Sequence, residues 1–204
     1  MEMKKLVTSL MYYVISAIGI SLTIKAAIGV SSFNSLNVSL SNLTSIQVGT
    51  ITSIINLLFM IGCIVLDKNR KLSKYALMFF ATISFGVVIN VVYYYLFAHI
   101  QLTNYLMKLV VFLLGVTLAG FGTGQVVRIN LLTFPIESLC QLLDSKTNYS
   151  FSTYRYAVDI ICVAFSLFIS LYFSLPIVVR EGTILSLFLL SGVISWSKEF
   201  NWKK

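Results

Sequence analysis

The chain has 204 residues, of which 58% are hydrophobic and only 11% charged, with a mean hydropathy of +0.91. A soluble domain carries about 25% charged residues, so this composition excludes one and makes lipid the solvent. The net charge of +8 is no nucleic-acid footprint, because the basic residues sit at the ends of apolar runs and form no stripe interleaved with aromatics.

Backbone groups in a bilayer must pair internally, which leaves helices or a closed barrel. The apolar runs are continuous rather than alternating, and that excludes a barrel. Six spans of an all-α membrane protein are expected. The first, Leu6–Ala27, follows Lys4 and Lys5. It is longer than a signal-peptide core and no small-residue cleavage site follows it, so it reads as a retained helix. The second is Gln47–Leu66, the third Tyr75–Phe97, the fourth Tyr105–Val127, the fifth Phe151–Leu175 and the sixth, a short one, Thr183–Trp196. With the N-terminus inside, 12 of the 15 Lys and Arg lie at or toward the cytoplasmic face. Only Lys25, Lys108 and Arg180 lie on the other. The positive-inside rule therefore places both ends in the cytoplasm, with the basic loop Asp67–Lys74 as the strongest anchor. Cys63, Cys140 and Cys162 have no metal or CxxC spacing and read as small core residues.

A shift of 103 residues lays the second half over the first without a gap. "GISLTIKAAIGVSSFNSL" (Gly19–Leu36) falls on "GTGQVVRINLLTFPIESL" (Gly122–Leu139). Lys25 meets Arg128, Asn34 meets Glu137 and Asn56 meets Asp159. Ala17, Gly19 and Ser21 meet Gly120, Gly122 and Gly124, which predicts close helix–helix contacts over small side chains in both halves. Three spans per half turn the second half over. The chain thus reads as one transmembrane domain of two inverted three-helix repeats, residues 6–98 and 105–197, a recurring plan of secondary transporters.

Between spans one and two, Phe33, Leu36, Leu40 and Leu43 form a helical stripe, with Asn34, Asn37, Ser41 and Asn42 on other faces. Ile136, Leu139 and Leu143 repeat the stripe between spans four and five, with Glu137, Gln141 and Asp144 polar. Each segment makes a helix of about 12 residues, roughly 18 Å, too short to cross. Two readings stay open: an amphipathic helix on each membrane face, or a re-entrant half-helix whose N-terminal amides face a site.

Ionisable groups inside spans are functional candidates. Asp159 lies about two turns into the fifth span, with Arg155 one turn before it. They make either a self-satisfied ion pair or a relay or substrate contact. Asn56 holds the equivalent place in the second span. Lys25 and Arg128 end the first and fourth spans. They either snorkel to the interface or flank a cavity and attract anions. Glu137 either caps a helix start or faces a site. Asn34 is its counterpart in the first half. Arg180 and Glu181 precede the sixth span.

Three stretches carry a family resemblance: "IKAAIGVSSFNSL", "VGTITSIINLLF" and "VVREGTILSLFLLSGVI" (Val178–Ile194). The chain resembles the YczE/YyaS/YitT group of uncharacterised bacterial membrane proteins over nearly its whole length. Such proteins often carry Pro in the first stretch, where Ser32-Phe33 stand here; Pro135 supplies one in the second. The resemblance implies a bacterial inner-membrane protein and raises interest in Arg180 and Glu181. It brings no substrate.

No HExxH, GxSxG or P-loop occurs, so the chain reads as no enzyme and as needing no cofactor. The expected function is small-solute transport in the bacterial inner membrane, secondary in energy source, for an anionic or zwitterionic solute, with or without a coupling ion. The expected partners are the bilayer and the solute, and not nucleic acid; oligomeric state stays open. Two alternatives stand beside it: a substrate-binding subunit of a larger ATP-driven importer, and a non-transporting accessory or scaffold protein of the membrane.

Overall fold

A computed structural model describes residues 2–68 and 72–199. Residues 69–71 of the basic loop and Lys203 and Lys204, all used in the topology argument, lie outside the described residues. Among the described residues there are eight α-helices and no strand: α1 (Glu2–Ala26), α2 (Ser32–Thr44), α3 (Val48–Leu66), α4 (Leu72–Asn90), α5 (Tyr105–Ile129), α6 (Pro135–Asp144), α7 (Phe151–Tyr172) and α8 (Glu181–Glu199). A π-helical turn, Val91–Leu96, continues α4. Among the described residues five stretches are long and apolar enough to cross a membrane: Met3–Ala26, Val48–Leu66, Leu72–Leu96, Tyr105–Ile129 and Phe151–Tyr172. The chain is a multi-pass membrane protein. The expected sixth span, α8, has 19 residues but is not among these five, since four serines and Glu181, Lys198 and Glu199 lower its hydropathy.

Helix pairing is set by small residues. A Cβ on Gly19 of α1 would overlap the backbone of Ala119 on α5 and lie 2.6 Å from Gly115 O. A Cβ on Gly122 would lie 2.6 Å from Tyr12 O and 2.7 Å from Ser16 N of α1. Gly120 and Gly124 face the other way, onto Val193, Ile194 and Ser197 of α8. The small-residue stripe of α5 thus serves two neighbours, where the alignment of halves predicts one contact per half. Backbones come this close because lipid supplies no hydrophobic drive between helices, and van der Waals contact must hold them. Gly49 of α3 and Gly86 of α4 meet backbone to backbone in the same manner.

α3 opens without a side-chain cap of its own. Its first amides go to the far end of the neighbouring span: Gly49 N–H donates to Asn90 Oδ1 at 2.7 Å and Val48 N–H to Tyr94 Oη at 3.2 Å, while Asn90 Nδ2 donates to Thr50 Oγ1 at 3.0 Å. Orphan amides at a helix start must be satisfied. Asn90→Leu is expected to lower stability by about 1–2 kcal/mol, the cost of a lost cap, read as a lower melting temperature of the detergent-solubilised protein with solute binding intact.

The two short helices lie against the third helix of the opposite half, α2 on α7 and α6 on α3. α2 is built inside out. Ser32, Asn34, Ser35, Asn37, Ser39 and Ser41 are buried, whereas Phe33, Leu36, Leu40 and Leu43 are only half-buried. Its polar face meets α7 through Ser39 Oγ and Ser166 Oγ at 2.8 Å and Ser166 Oγ donating to Ser35 O at 3.1 Å. Leu36, Leu40 and Leu43 of the predicted apolar stripe therefore lie on the less buried side, while Phe33 turns to the core, as expected when the surrounding solvent is lipid and the polar groups pair inside the protein.

Candidate functional site

All eight helices, or the residue just before one, contribute to one cavity of about 90 Å³. That is room for several waters or a small solute. Ser16, Ile20 and Thr23 come from α1, Asn34 from α2, Asn56 from α3 and Phe85 from α4. Thr123 comes from α5, Glu137 from α6, Arg155 from α7 and Ser186 from α8. Phe33, Phe134, Ile136 and Leu190 add apolar wall. Phe134 enters from just before α6. Its ring stacks on Tyr13 with centroids 4.4 Å apart and meets Phe85 edge-on at 5.4 Å.

Five pairs of lining residues stand 103 positions apart: Ser16 and Ala119, Ile20 and Thr123, Ser31 and Phe134, Phe33 and Ile136, Asn34 and Glu137. Positions that the 103-residue shift lays over one another thus line the same space. Ser16 and Thr123 hydrogen-bond across it, Oγ to Oγ1, at 3.0 Å. The positions match but the charges do not. The first half offers Asn34 and Asn56. The second offers Glu137, Arg155 and, behind Arg155, Asp159.

Arg155 donates from Nη1 to Asp159 Oδ1 at 2.9 Å, one turn along α7. Asn56, whose counterpart is Asp159, donates from Nδ2 to Thr52 O at 2.9 Å, again one turn back. Two acceptors are left over. Glu137 Oε2 and Asn56 Oδ1 are buried and have no hydrogen-bond partner among the described residues. A buried acceptor without a donor costs about 1–3 kcal/mol, so both oxygens demand something that donates. Arg155, Asp159 and Glu137 together carry one positive and two negative formal charges. The chemistry on offer is recognition of a polar solute that brings its own donors, between aromatic walls.

The chain matches the family described as "Family of unknown function (DUF6198)" over residues 3–199. The chain belongs to the DUF6198 family. It is also 30% identical over 158 residues to "Uncharacterized protein YyaS" of Bacillus subtilis (strain 168), covering 74% of this chain and 77% of the relative. The family is therefore YyaS-type, as the quoted stretches imply. No solved structure matches.

In this DUF6198 protein four sequence-predicted site residues meet in the cavity, Asn34, Asn56, Glu137 and Arg155, and Asp159 stands behind them on Arg155. Lys25, Arg128, Arg180 and Glu181 do not line it. Lys25 Nζ reaches Ala98 O at 3.5 Å and lies 6.0 Å from the centre of the Tyr93 ring, tying the end of α1 to the π-helical turn. Arg128 stands in the last turn of α5. Arg180 Nη1 donates to Ala27 O at 2.9 Å and closes the C-terminus of α1, where Gly182 N–H also donates to Ile28 O at 2.8 Å. Glu181 Oε1 accepts from Tyr105 Oη at 3.5 Å. The last two pin α8 to its neighbours. Arg180 also lines a second cavity of about 230 Å³ with Ile24, Val38, Asn42, Tyr93 and Val178. Thr23 and Ile24, adjacent on α1, face the two cavities in turn.

Sequence reasoning missed Ser16, Thr23, Phe85, Thr123 and Phe134. Ser16 and Thr123 could have been found by asking which small polar residues lie one turn from Ile20 and Ala119 on the repeat-matched faces. Phe85 carries no signal, because an aromatic in an apolar span is the ordinary case.

Proposed function

We propose that the protein is a small-solute transporter of the bacterial inner membrane. Six spans, α8 being the sixth, form two inverted repeats with both termini in the cytoplasm. The observation that carries this reading is the cavity itself, formed where all the helices meet and faced by equivalent residues of both halves. Inverted-repeat transporters place the solute at such a repeat interface, beside interrupted helices. The burial of the polar face of α2 supports a re-entrant half-helix there over an interfacial one, since an interfacial helix turns its polar face to water, as α6 does with Gln141 and Asp144. Transport is secondary: the chain carries no nucleotide motif, and the solute gradient or a coupled ion supplies the energy.

The solute is zwitterionic rather than simply anionic. Lys25 and Arg128, the basis for expecting an anion, stand away from the cavity, and the cation that lines it among the described residues, Arg155, is shared with Asp159. Arg155 receives the negative pole and the acceptors opposite receive the positive one. Alternating access predicts that a cysteine at the cavity is reachable from each side in turn. In right-side-out and inside-out vesicles, Asn34→Cys is expected to react with an impermeant maleimide from both faces; the native cysteines are buried. Reaction from one face only, or from neither, ends the transport reading. Uptake into proteoliposomes is expected to survive Arg128→Ala and to fall in Asp159→Asn, which frees Arg155 from its ionic partner.

A further inference from the structure

The unpartnered oxygens define more than polarity. Glu137 sits in the first turn of α6, behind Pro135 and in a helix whose opening is buried. Its neighbours on the cavity wall supply hydroxyls, amides and rings, and one guanidinium, that of Arg155, which is hydrogen-bonded to Asp159 and offsets the charge of Glu137 only in part. Asn56 is 3% exposed, with its Nδ2 committed to Thr52 O and its Oδ1 unanswered. Both unanswered atoms are acceptors, and one belongs to a carboxylate. Phe33, Phe85 and Phe134 line the same space. Acceptors with a formal negative charge and aromatic walls suit a nitrogen cation, through charge-assisted hydrogen bonds and cation–π attraction. An aliphatic alcohol gains only the weaker neutral bond from them.

We propose that Glu137 and Asn56 form a primary-ammonium subsite of the central cavity. The inference rests on the transport reading for its purpose but not for its chemistry, because binding can be measured without transport. A primary ammonium is preferred over a quaternary one, since the two oxygens need N–H donors and not charge alone. Glu137 and Asn56 supply hydrogen-bond acceptance and charge, and the three Phe rings hold the adjoining carbons.

The test is calorimetric titration of the purified full-length protein in detergent with butylammonium, tetramethylammonium, butyrate, 4-aminobutyrate and, at matched ionic strength, sodium chloride alone. Saturable binding of butylammonium and 4-aminobutyrate is expected, with tetramethylammonium and butyrate at least about tenfold weaker. Glu137→Gln keeps the shape and removes the charge; it is expected to weaken butylammonium about 10- to 100-fold. Asn56→Asp adds a charge and is expected to tighten butylammonium, so the subsite can still be tested if the Glu137 variant does not fold. Tetramethylammonium binding as well as butylammonium, butyrate or sodium binding in its place, no saturable binding to folded protein, or butylammonium binding indifferent to both substitutions would each overturn the subsite. Binding of 4-aminobutyrate without its uptake into proteoliposomes would instead leave the subsite standing and end the transport reading.

Discussion

Gly19→Leu is expected to yield no monodisperse protein on extraction, whereas Gly192→Leu is expected to behave as the unchanged chain. The two glycines differ in what surrounds them. A Cβ at Gly19 falls among the backbone atoms of α5, overlapping Ala119 N and lying 2.6 Å from Gly115 O and 2.8 Å from Ala119 Cα. A Cβ at Gly192 meets nothing within 4 Å. Backbone cannot rotate aside as a side chain can, so α1 and α5 must separate along their whole contact. Gly122 and Gly115 sit in the same seam, and a Cβ on Gly115 would lie 2.8 Å from Gly19 O, so no sliding of one helix along the other relieves the clash. Overpacking a core costs about 1–3 kcal/mol when side chains can adjust; here the cost exceeds that range. The seam also carries Ser16, Ile20, Ala119 and Thr123 of the cavity wall, so any surviving protein is expected to have lost solute binding. Fluorescence-detected size-exclusion of the two variants side by side reads the difference. A sharp Gly19→Leu peak with an unchanged melting temperature would show that α1 and α5 do not pack as described.

Arg155→Leu is expected to carry the next largest effect, about 3–5 kcal/mol of stability. Arg155 and Asp159 are partly buried, with side chains 27% and 15% exposed, and Glu137 shares their cavity. Removing the guanidinium leaves two carboxylates facing protein and lipid with no compensating cation. Their desolvation, not the lost attraction, sets the cost. The paired variant Arg155→Leu/Asp159→Leu is therefore expected to recover much of the lost stability while remaining unable to take up solute. Melting temperatures of the two single variants and the pair form a double-mutant cycle whose coupling term isolates the ion pair. If the paired variant is no more stable than Arg155→Leu alone, the pair is not what the arginine serves.

The two effects draw on different parts of what the sequence shows. Gly19, Gly120, Gly122 and Gly124 stand out in the chain because glycine in an apolar run has few uses other than close approach. Their partners do not stand out. That Gly122 meets α1 while Gly120 and Gly124 meet α8 depends on how far α5 is rotated about its axis, and no residue of α5 records that. Asn90 is a similar case. Its place near the end of a span names no partner, yet its side chain is spent on the Gly49 amide and the Thr50 hydroxyl at the start of α3.

The sequence by itself determined the lipid solvent, the helical class, the long apolar spans and the two short polar segments between them. These are local or periodic properties: composition, run length, spacing along a helix. It also determined the Arg155–Asp159 pair, because four residues is one turn of one helix. Only the tertiary structure decided which candidates meet. Asn34, Asn56, Glu137 and Arg155 come together from four helices, while Lys25, Arg128, Arg180 and Glu181, no less conspicuous in the sequence, close helix ends or stand apart from the cavity. Only it decided that Ser32, Asn34, Ser35, Asn37, Ser39 and Ser41 of α2 are buried while Leu36, Leu40 and Leu43 are only half-buried. The physical reason is the same for both. A helical period states which side chains share a face, but which face turns inward follows from the solvent and from the neighbours across about 100 residues of chain, and in lipid the buried side is the one that pairs its polar groups.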